Sequence, residues 1–214
     1  MIKNNLKLKI CGMRDVENVS DVAGLLPDYM GFIFYLKSSR FVGDLAKNII
    51  QYVKKLGIKP VAVFVDMAVD SVLQITENYG FTHIQLHGKE TPQTCRTYRE
   101  KGLKVLKAFS IAESSDLEIV KSYENSCDYF LFDTKTSIPG GSGSHFDWNI
   151  LKGYTGTTPF FLSGGIGLDD VSNICNFEHP MLFGIDVNSC FEIKPALKDA
   201  ELLKKFTEQL NFQK

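Results

Sequence analysis

Short apolar runs recur along the chain at fairly regular intervals, and each has the length of a buried strand. Eight strands are predicted in this way: Leu8–Cys11, Met30–Phe34, Val61–Val65, His83–Leu86, Lys104–Phe109, Asp128–Phe132, Phe160–Leu162 and Leu182–Val187. Between most of them, apolar residues recur at the spacing of an amphipathic helix, as Leu203, Phe206 and Leu210 do in the last helical segment. Strands that alternate with helices indicate parallel βαβ units.

The number of these units indicates the fold class. Eight units in 214 residues allow about 27 residues each, near the compact end of the (β/α)8 TIM barrel. A doubly wound sheet is the structural alternative, but no Gly-x-Gly-x-x-Gly follows the first predicted strand, which weakens its dinucleotide-binding form. The sequence shows no linker or domain break, so we predict one α/β domain, a (β/α)8 barrel over residues 1–214.

Strand alternation predicts which side chains enter the barrel, because residues two apart on a strand point to the same side. With Ile10 facing the helices, Lys9 faces inward, and with Phe183 and Ile185 facing out, Gly184 faces inward. The same rule turns four polar residues inward at the C-terminal ends of their strands: Cys11, His87, Asp133 and Asp186. Barrel enzymes place their catalytic groups at this end. Each residue alone could equally be a hydrogen-bonded core residue, but their convergence favours a site.

Composition and charge exclude several function classes. The chain is 44% hydrophobic and 23% charged with a net charge of −1, so no bulk attraction to nucleic acid or to an anionic membrane is expected. No apolar run approaches the length of a membrane span or of a signal peptide. The five cysteines form no Cys-x-x-Cys pair, which favours a reducing cytosol and gives no zinc-type spacing. We therefore expect a cytoplasmic protein without nucleic-acid or membrane partners.

An acidic residue ends the sixth predicted strand and is followed by a glycine-rich loop. Asp133 closes the run Tyr-Phe-Leu-Phe-Asp, and Gly140, Gly141 and Gly143 follow within ten residues. A carboxylate at the end of a buried strand, followed by a mobile loop, suggests a catalytic group with a lid. The alternative is a capping aspartate beside an ordinary flexible loop.

A cysteine ends the first predicted strand, in Lys9-Ile10-Cys11-Gly12. The thiol of Cys11 could act as a nucleophile or as a general base, or it could be a small buried core residue. Lys9 shares its strand face, and a nearby ammonium favours the thiolate. We therefore expect the pKa of Cys11 to lie below the ordinary value of about 8.5, unless burial offsets the ammonium.

Three further loops offer groups for anions. Arg40 follows the second predicted strand, and a guanidinium suits a carboxylate, although a solvated surface arginine is the alternative. Gly164 and Gly165 follow the seventh strand, and Asn188 and Ser189 follow the eighth. Loops after strands seven and eight form the recurrent phosphate site of this fold. Plain turns are the alternative there.

These motifs together resemble the phosphoribosylanthranilate isomerase family of the tryptophan pathway, in order and over essentially the whole chain. The matching segments are Lys-Ile-Cys-Gly at 9–12, Gly-Phe-Ile-Phe at 31–34 with Ser38 and Arg40, Val-Phe-Val at 63–65, Gln-Leu-His-Gly at 85–88, Phe-Asp-Thr at 132–134 with the loop to Phe146 and Trp148, Leu-Ser-Gly-Gly at 162–165, Gly-Ile-Asp-Val at 184–187, Glu192, and Lys198-Asp199. The Lys-x-Cys-Gly and Gln-Leu-His-Gly pair is the more specific part.

The resemblance implies an Amadori rearrangement of a phosphosugar without metal or cofactor. Asp133 matches the family's general acid, which would open the furanose ring, and a raised pKa of its carboxyl would help. Cys11 matches the general base, which would take the C2′ proton. Arg40 would hold the anthranilate carboxylate. The phosphate would bind at Gly164, Gly165 and the backbone of residues 188–190. The predicted substrate-binding residues are Lys9, Arg40, His87, Gly164, Gly165, Asp186, Asn188 and Ser189. A monomer or a homodimer is expected.

The chain departs from the family pattern near the phosphate. Cys190 and Ala196 stand where the family usually has glycine, and Ser39 stands where proline is common. A side chain at 190 is expected to strain the loop or narrow the site. Two other functions therefore stay open: another phosphosugar barrel such as a synthase or epimerase, and a phosphosugar-binding protein that has lost turnover. Retention of Cys11 and Asp133 favours the isomerase.

Overall fold

The predicted barrel is confirmed in a computed structural model that describes residues 6–134 and 147–212. Eight parallel strands close into a barrel in sequence order. They are β1 Lys7–Ile10, β2 Tyr29–Ile33, β3 Lys59–Phe64, β4 His83–Leu86, β5 Lys104–Ile111, β6 Tyr129–Thr134, β7 Phe160–Leu162 and β8 Leu182–Val187. The predicted strand ends differ by at most a few residues, because the apolar runs mark the buried centre of each strand.

Helices and short 3₁₀ turns connect the strands. The α-helices are α1 Val16–Ala23, α2 Lys47–Lys55, α3 Val69–Tyr79, α4 Pro92–Glu100, α5 Val171–Asn176 and α6 Ala200–Phe212. Local sequence sets their ends: the Asp15 side chain accepts a hydrogen bond from the backbone N–H of Asn18 and caps α1. Between β5 and β6 the connection consists of two 3₁₀ turns, Ser114–Leu117 and Ile119–Tyr123. Among residues 6–134 and 147–212, no helix contains an apolar stretch of the length that a membrane span requires.

The core has two layers, as strand alternation predicts. Outward-facing residues of the strands pack beneath the helices in one large cluster that includes Ile10, Phe32 and Phe132. Inward-facing residues form a smaller cluster inside the barrel: Tyr29, Val61, Leu106, Ala108, Leu131 and Phe161. This inner cluster fills the N-terminal half of the barrel, so the polar inward-facing residues near the C-terminal ends lie above an apolar floor.

One predicted orientation is wrong. Alternation predicts that Phe183 faces the helices, but its ring packs against the inner cluster. The centroid of the Phe183 ring lies 5.3 Å from that of Phe161 and 4.6 Å from that of Tyr129. The pairing of β7 with β8 shifts register here: Phe160 pairs with Leu182, whereas Phe161 pairs with Gly184. The extra residue breaks the alternation below Gly184. Above it the alternation is restored, and Ile185 joins the outer cluster as predicted.

A short hairpin follows β8 at the C-terminal end of the barrel. A 3₁₀ turn at Ser189–Phe191 leads into β9, Glu192–Lys194, which pairs antiparallel with β10, Leu197–Lys198. Ala196 forms the turn with a φ of 66° and is almost fully buried. The side chain of Asn18 on α1 holds the hairpin by bonding to the backbone N–H and carbonyl of Lys198. The hairpin therefore lies fixed beside the barrel mouth.

Candidate active site

A pocket of about 650 Å³ opens at the C-terminal ends of the strands. All but one of the predicted site residues line it: Cys11, Arg40, His87, Asp133, Gly164, Gly165, Asp186, Asn188 and Ser189. Lys9 lies beneath the pocket floor. A second cavity, of about 410 Å³, lies beside Trp148 and Asn173 and includes none of these groups. The convergence expected from strand alternation is thus present in space.

Cys11 lies at the end of β1 with 4% of its surface exposed. Its backbone N–H donates to the carbonyl of Val187 at 2.9 Å, which fixes it beside β8. Gly31 on β2 makes room for the sulfur, because a Cβ built at Gly31 would lie 2.6 Å from Cys11 Sγ. A larger residue at position 31 would displace the thiol.

Burial raises the pKa of the Cys11 thiol above its ordinary value. The ammonium of Lys9 opposes this, but the carboxylate of Asp186 works in the same direction as burial. Lys9 was expected to lower the pKa of Cys11 unless burial offset its effect. Burial does outweigh Lys9, so the pKa is raised. Cys11 is predominantly a thiol at neutral pH, and only a minor thiolate fraction is present.

Lys9 and Asp186 form a buried ion pair under the pocket floor. Lys9 Nζ donates to Asp186 Oδ1 at 2.7 Å, and Ser163 Oγ donates to Asp186 Oδ2 at 3.2 Å. Burial alone would lower the pKa of Lys9, but Asp186 and, to a smaller extent, Cys11 raise it overall. Lys9 is therefore charged. Its side chain is fully buried and does not reach the pocket surface, so direct contact with the substrate stays a prediction.

Asp133 and His87 face each other across the pocket. His87 Nε2 lies 3.5 Å from Asp133 Oδ2, and both side chains are about one third exposed, at 33% and 29%. The amide Nε2 of Gln85 bonds to His87 Nδ1 at 3.0 Å. With the amide as donor, Nδ1 accepts and the ring proton lies on Nε2, which faces Asp133. The predicted glycine-rich lid at 140, 141 and 143 lies outside the described residues.

Arg40 is held in place by Glu192, and the solvated-surface alternative is wrong, because Arg40 is only 8% exposed. Arg40 Nε donates to Glu192 Oε1 at 2.8 Å, and Nη2 donates to Oε2 at 2.6 Å. The backbone N–H of Arg40 donates to Ser38 Oγ at 3.1 Å. Burial would raise the pKa of Glu192, but Arg40 and Lys198 lower it overall, so Glu192 is ionised. Nη1, which no bond to the described residues occupies, is available to a ligand carboxylate.

Gly164 and Gly165 have φ values of 92° and 69°, a backbone conformation that residues with a side chain rarely adopt. Glycine is required at 164 for a second reason: a Cβ there would lie 2.2 Å from Thr134 Oγ1 and 2.9 Å from Asp133 Oδ1. The loop can therefore pass close to the end of β6. It shares the pocket wall with Asn188 and Ser189, the geometry expected of a phosphate site.

Cys190 does not disturb this loop. It is absent from the pocket wall, and its Sγ donates instead to the backbone carbonyl of Gly165 at 3.0 Å. Its φ is not positive, so the backbone is unstrained where the family usually has glycine. The expected strain at 190 is not present. Ala196, the other departure from glycine, does have a left-handed backbone.

Glu192 and Lys198 belong to segments that match the family pattern, but the sequence assigned neither of them to the site. Lys198 Nζ donates to Glu192 Oε1 at 2.7 Å and to Asn188 Oδ1 at 2.6 Å. Both side chains are at least 95% buried, at 5% and 0% exposed. In the sequence, an acidic and a basic residue six positions apart are weak evidence for a buried site, because such pairs usually lie in solvent.

Comparisons with known proteins show which family this chain is similar to. A family model described as N-(5'phosphoribosyl)anthranilate (PRA) isomerase matches residues 8–209. The N-(5'-phosphoribosyl)anthranilate isomerase of Parabacteroides distasonis is 45% identical over 204 residues, which are 95% of this chain and 92% of the relative. That of Phocaeicola vulgatus is 45% identical over 203 residues, 95% and 97% of the two chains. A solved monomer generated from the dimeric phosphoribosylanthranilate isomerase of Thermotoga maritima has a TM-score of 0.78 at 26% identity, covering 96% of this chain and 98% of that chain.

Proposed function

Because the chain belongs to the N-(5'-phosphoribosyl)anthranilate isomerase family, we propose that it converts N-(5-phosphoribosyl)anthranilate into 1-(2-carboxyphenylamino)-1-deoxyribulose 5-phosphate. This Amadori rearrangement turns an aldose derivative into a ketose derivative and belongs to tryptophan biosynthesis. The supporting observation is that one pocket combines Cys11 and Asp133 with groups for two anions, Arg40 on one wall and the Gly164–Gly165 loop on another. The substrate carries a carboxylate and a phosphate, which these groups suit.

Asp133 is the proposed general acid. Protonation of the furanose ring oxygen breaks the bond from that oxygen to C1′, and the nitrogen lone pair forms an iminium. His87 orients this carboxyl, because its Nε2 faces Asp133 Oδ2 at 3.5 Å and its ring orientation is fixed by Gln85. An N–H at Nε2 favours the carboxylate that remains after the proton has been given to the substrate. Asp133 Oδ1 accepts the backbone N–H of Thr134 at 2.9 Å. The side chain of Asp133 is 29% exposed and lines the pocket, where the substrate can reach it.

Cys11 is the proposed general base. The iminium withdraws electrons from the neighbouring C2′–H bond, so a thiolate is a sufficient base. Cys11 takes the C2′ proton, the C–H electrons form a C1′–C2′ double bond, and the nitrogen becomes neutral. The resulting enolamine tautomerises to the ketone. The positive charge of Lys9 beneath Cys11 stabilises the thiolate that this step requires.

The two anionic ends of the substrate explain the remaining groups. Arg40 offers a guanidinium whose orientation is set by Glu192, as suits a planar carboxylate. Gly164, Gly165 and the backbone of residues 188–190 form the proposed phosphate site. Holding both ends places the ribose between Cys11 and Asp133. For the oligomeric state, the T. maritima protein provides both a dimer and monomers generated from it, and monomer or homodimer stays the prediction here.

A phosphosugar-binding protein without turnover is not favoured by the structure. That alternative depended on damage to the phosphate loop by Cys190, and the Cys190 side chain points to the Gly165 carbonyl.

A direct assay tests the proposed function. The purified chain is given N-(5-phosphoribosyl)anthranilate, and the deoxyribulose product is measured by chromatography. We expect turnover by the wild type, and Asp133→Asn and Cys11→Ser serve as matched variants that keep side-chain size. Binding of the substrate without product would contradict an isomerase and support the binding protein.

A further inference from the structure

Lys198 lies between the two ends of the pocket that take anions in the proposed function, although its own side chain does not line the pocket. Its ammonium donates to Asn188 Oδ1 at 2.6 Å and to Glu192 Oε1 at 2.7 Å. Glu192 holds Arg40 at the carboxylate end, and Asn188 lies at the phosphate end. One buried ammonium thus connects the two groups that position the two anion sites.

Other contacts make this connection rigid. Glu192 Oε1 also accepts the backbone N–H of Ala196 at 3.1 Å, which ties the carboxylate to the hairpin turn. Asn188 Oδ1 lies against Gly12, where an added Cβ would be only 2.7 Å away. The backbone of Lys198 is itself anchored to Asn18 of α1 on both its N–H and its carbonyl. The ammonium therefore has a fixed position from which to orient both partners.

Charge balance gives the connection a second effect. Burial lowers the pKa of Lys198, and the carboxylate of Glu192 offsets this only in part. With Lys198 protonated, Arg40 and Lys198 carry two positive charges and Glu192 one negative charge, so the cluster has a net charge of +1 beside the pocket. Loss of Lys198 would leave Arg40 neutralised by Glu192. Loss of the Glu192 charge would leave both cations but would free the guanidinium from its fixed orientation.

We propose that Lys198 is a positioning residue that sets both the carboxylate site, through Glu192 and Arg40, and the phosphate site, through Asn188. This inference rests on the proposed function for the identity of the two anions. It predicts a pattern that a general structural role would not produce. Losing one of the two arms, that is, the contact of Lys198 with Glu192 or with Asn188, should weaken binding at one anion site. Removing Lys198 should weaken binding at both.

The test measures binding of two half-ligands to the full chain by NMR titration, which works at weak affinity and needs no turnover. Inorganic phosphate probes one site and N-methylanthranilate probes the other. Lys198→Met should raise both dissociation constants by about tenfold, the scale of a lost charged hydrogen bond. Glu192→Gln should raise that of N-methylanthranilate alone, and Asn188→Ala that of phosphate alone. Lys194→Met, an exposed lysine of the same hairpin, should change neither.

The outcomes are distinct. The proposal is overturned if folded Lys198→Met, checked by circular dichroism, changes one constant or none, or if Lys194→Met reproduces the double effect. If Lys198→Met does not fold, the two single-arm variants decide, and a shift of both constants in each of them contradicts the separation of the arms. Failure of the proposed function would instead appear as absence of turnover by the wild type.

Discussion

At the scale of single residues, the environment of Cys11 determines how it can act. The sulfur fills the space that Gly31 leaves, and Lys9, Asp186 and Lys198 act on it electrostatically. Burial and Asp186 favour the thiol, whereas Lys9 and, to a smaller extent, Lys198 favour the thiolate. A base in this position works through a small thiolate fraction, which the carboxylate decreases and the two ammonium groups increase.

The rate of alkylation of Cys11 should therefore rise with pH as the thiolate forms, and its midpoint should depend on the neighbouring charges. Since burial raises the pKa of Cys11, the rate with iodoacetamide should still be rising at pH 8.5, where an ordinary thiol is about half ionised. Asp186→Asn removes a negative charge that opposes the thiolate, so the midpoint should move to lower pH. Peptide mapping separates Cys11 from the other four cysteines. A midpoint below that of a free thiol would contradict the effect of burial.

Asp133→Asn should abolish most turnover while leaving the fold intact, because an amide of the same shape cannot protonate the ring oxygen. Loss of a general acid typically lowers kcat by about 10²–10⁴-fold. The control is Asp21→Asn, an exposed carboxylate on α1, which should have wild-type kinetics. Near wild-type turnover by Asp133→Asn would remove Asp133 from the mechanism.

At the scale of elements, the sequence predicts the strands better than the loops. All eight strands follow from apolar runs, and Cys11, Asp133 and Asp186 follow from alternation, because buried parallel strands impose a two-residue period. The two-residue period fails where the register of β7 and β8 shifts, which is why the predicted orientation of Phe183 is wrong. No period exists in the β9–β10 hairpin. The contact between Glu192 and Arg40 joins residues far apart in the chain, so it required the structure.

The loop after β2 provides a test of substrate binding, because it presents Arg40. Arg40→Ala should raise KM with a smaller change in kcat, since loss of a charged hydrogen-bond partner costs roughly 1.5–3 kcal/mol. Steady-state kinetics with N-(5-phosphoribosyl)anthranilate measures both constants, and Lys194→Ala provides a control on the exposed side of the hairpin. An unchanged KM would exclude Arg40 from carboxylate binding.

At the scale of the whole molecule, the two ends of the barrel have different tasks. The C-terminal end holds the pocket, and the N-terminal end is closed by aromatic rings, among them Tyr29, Phe161 and Phe183. His83 lies at that closed end, 5.8 Å from the ring of Tyr29. Burial, with a smaller effect of Lys59, lowers the pKa of His83 from 6.5 to about 4. The folded protein therefore holds this imidazole neutral.

Stability should fall on acidification because of His83. Below the unfolded-state pKa of 6.5, the unfolded chain takes up a proton that the folded chain accepts only near pH 4, so stability is lost between these values. In His83→Gln the decline over this range should be shallower. Urea unfolding midpoints at several pH values measure it, and an identical pH dependence in both proteins would contradict the assignment to His83.

Gly31 shows that a position can be functionally constrained by what its residue lacks. Its missing side chain is the space that the Cys11 sulfur occupies, at 2.6 Å from where a Cβ would be. In a survey of tolerated substitutions, position 31 should therefore be as restricted as the residues that handle the substrate. The gene cannot encode a different amino acid at this position without moving the sulfur of a neighbouring strand.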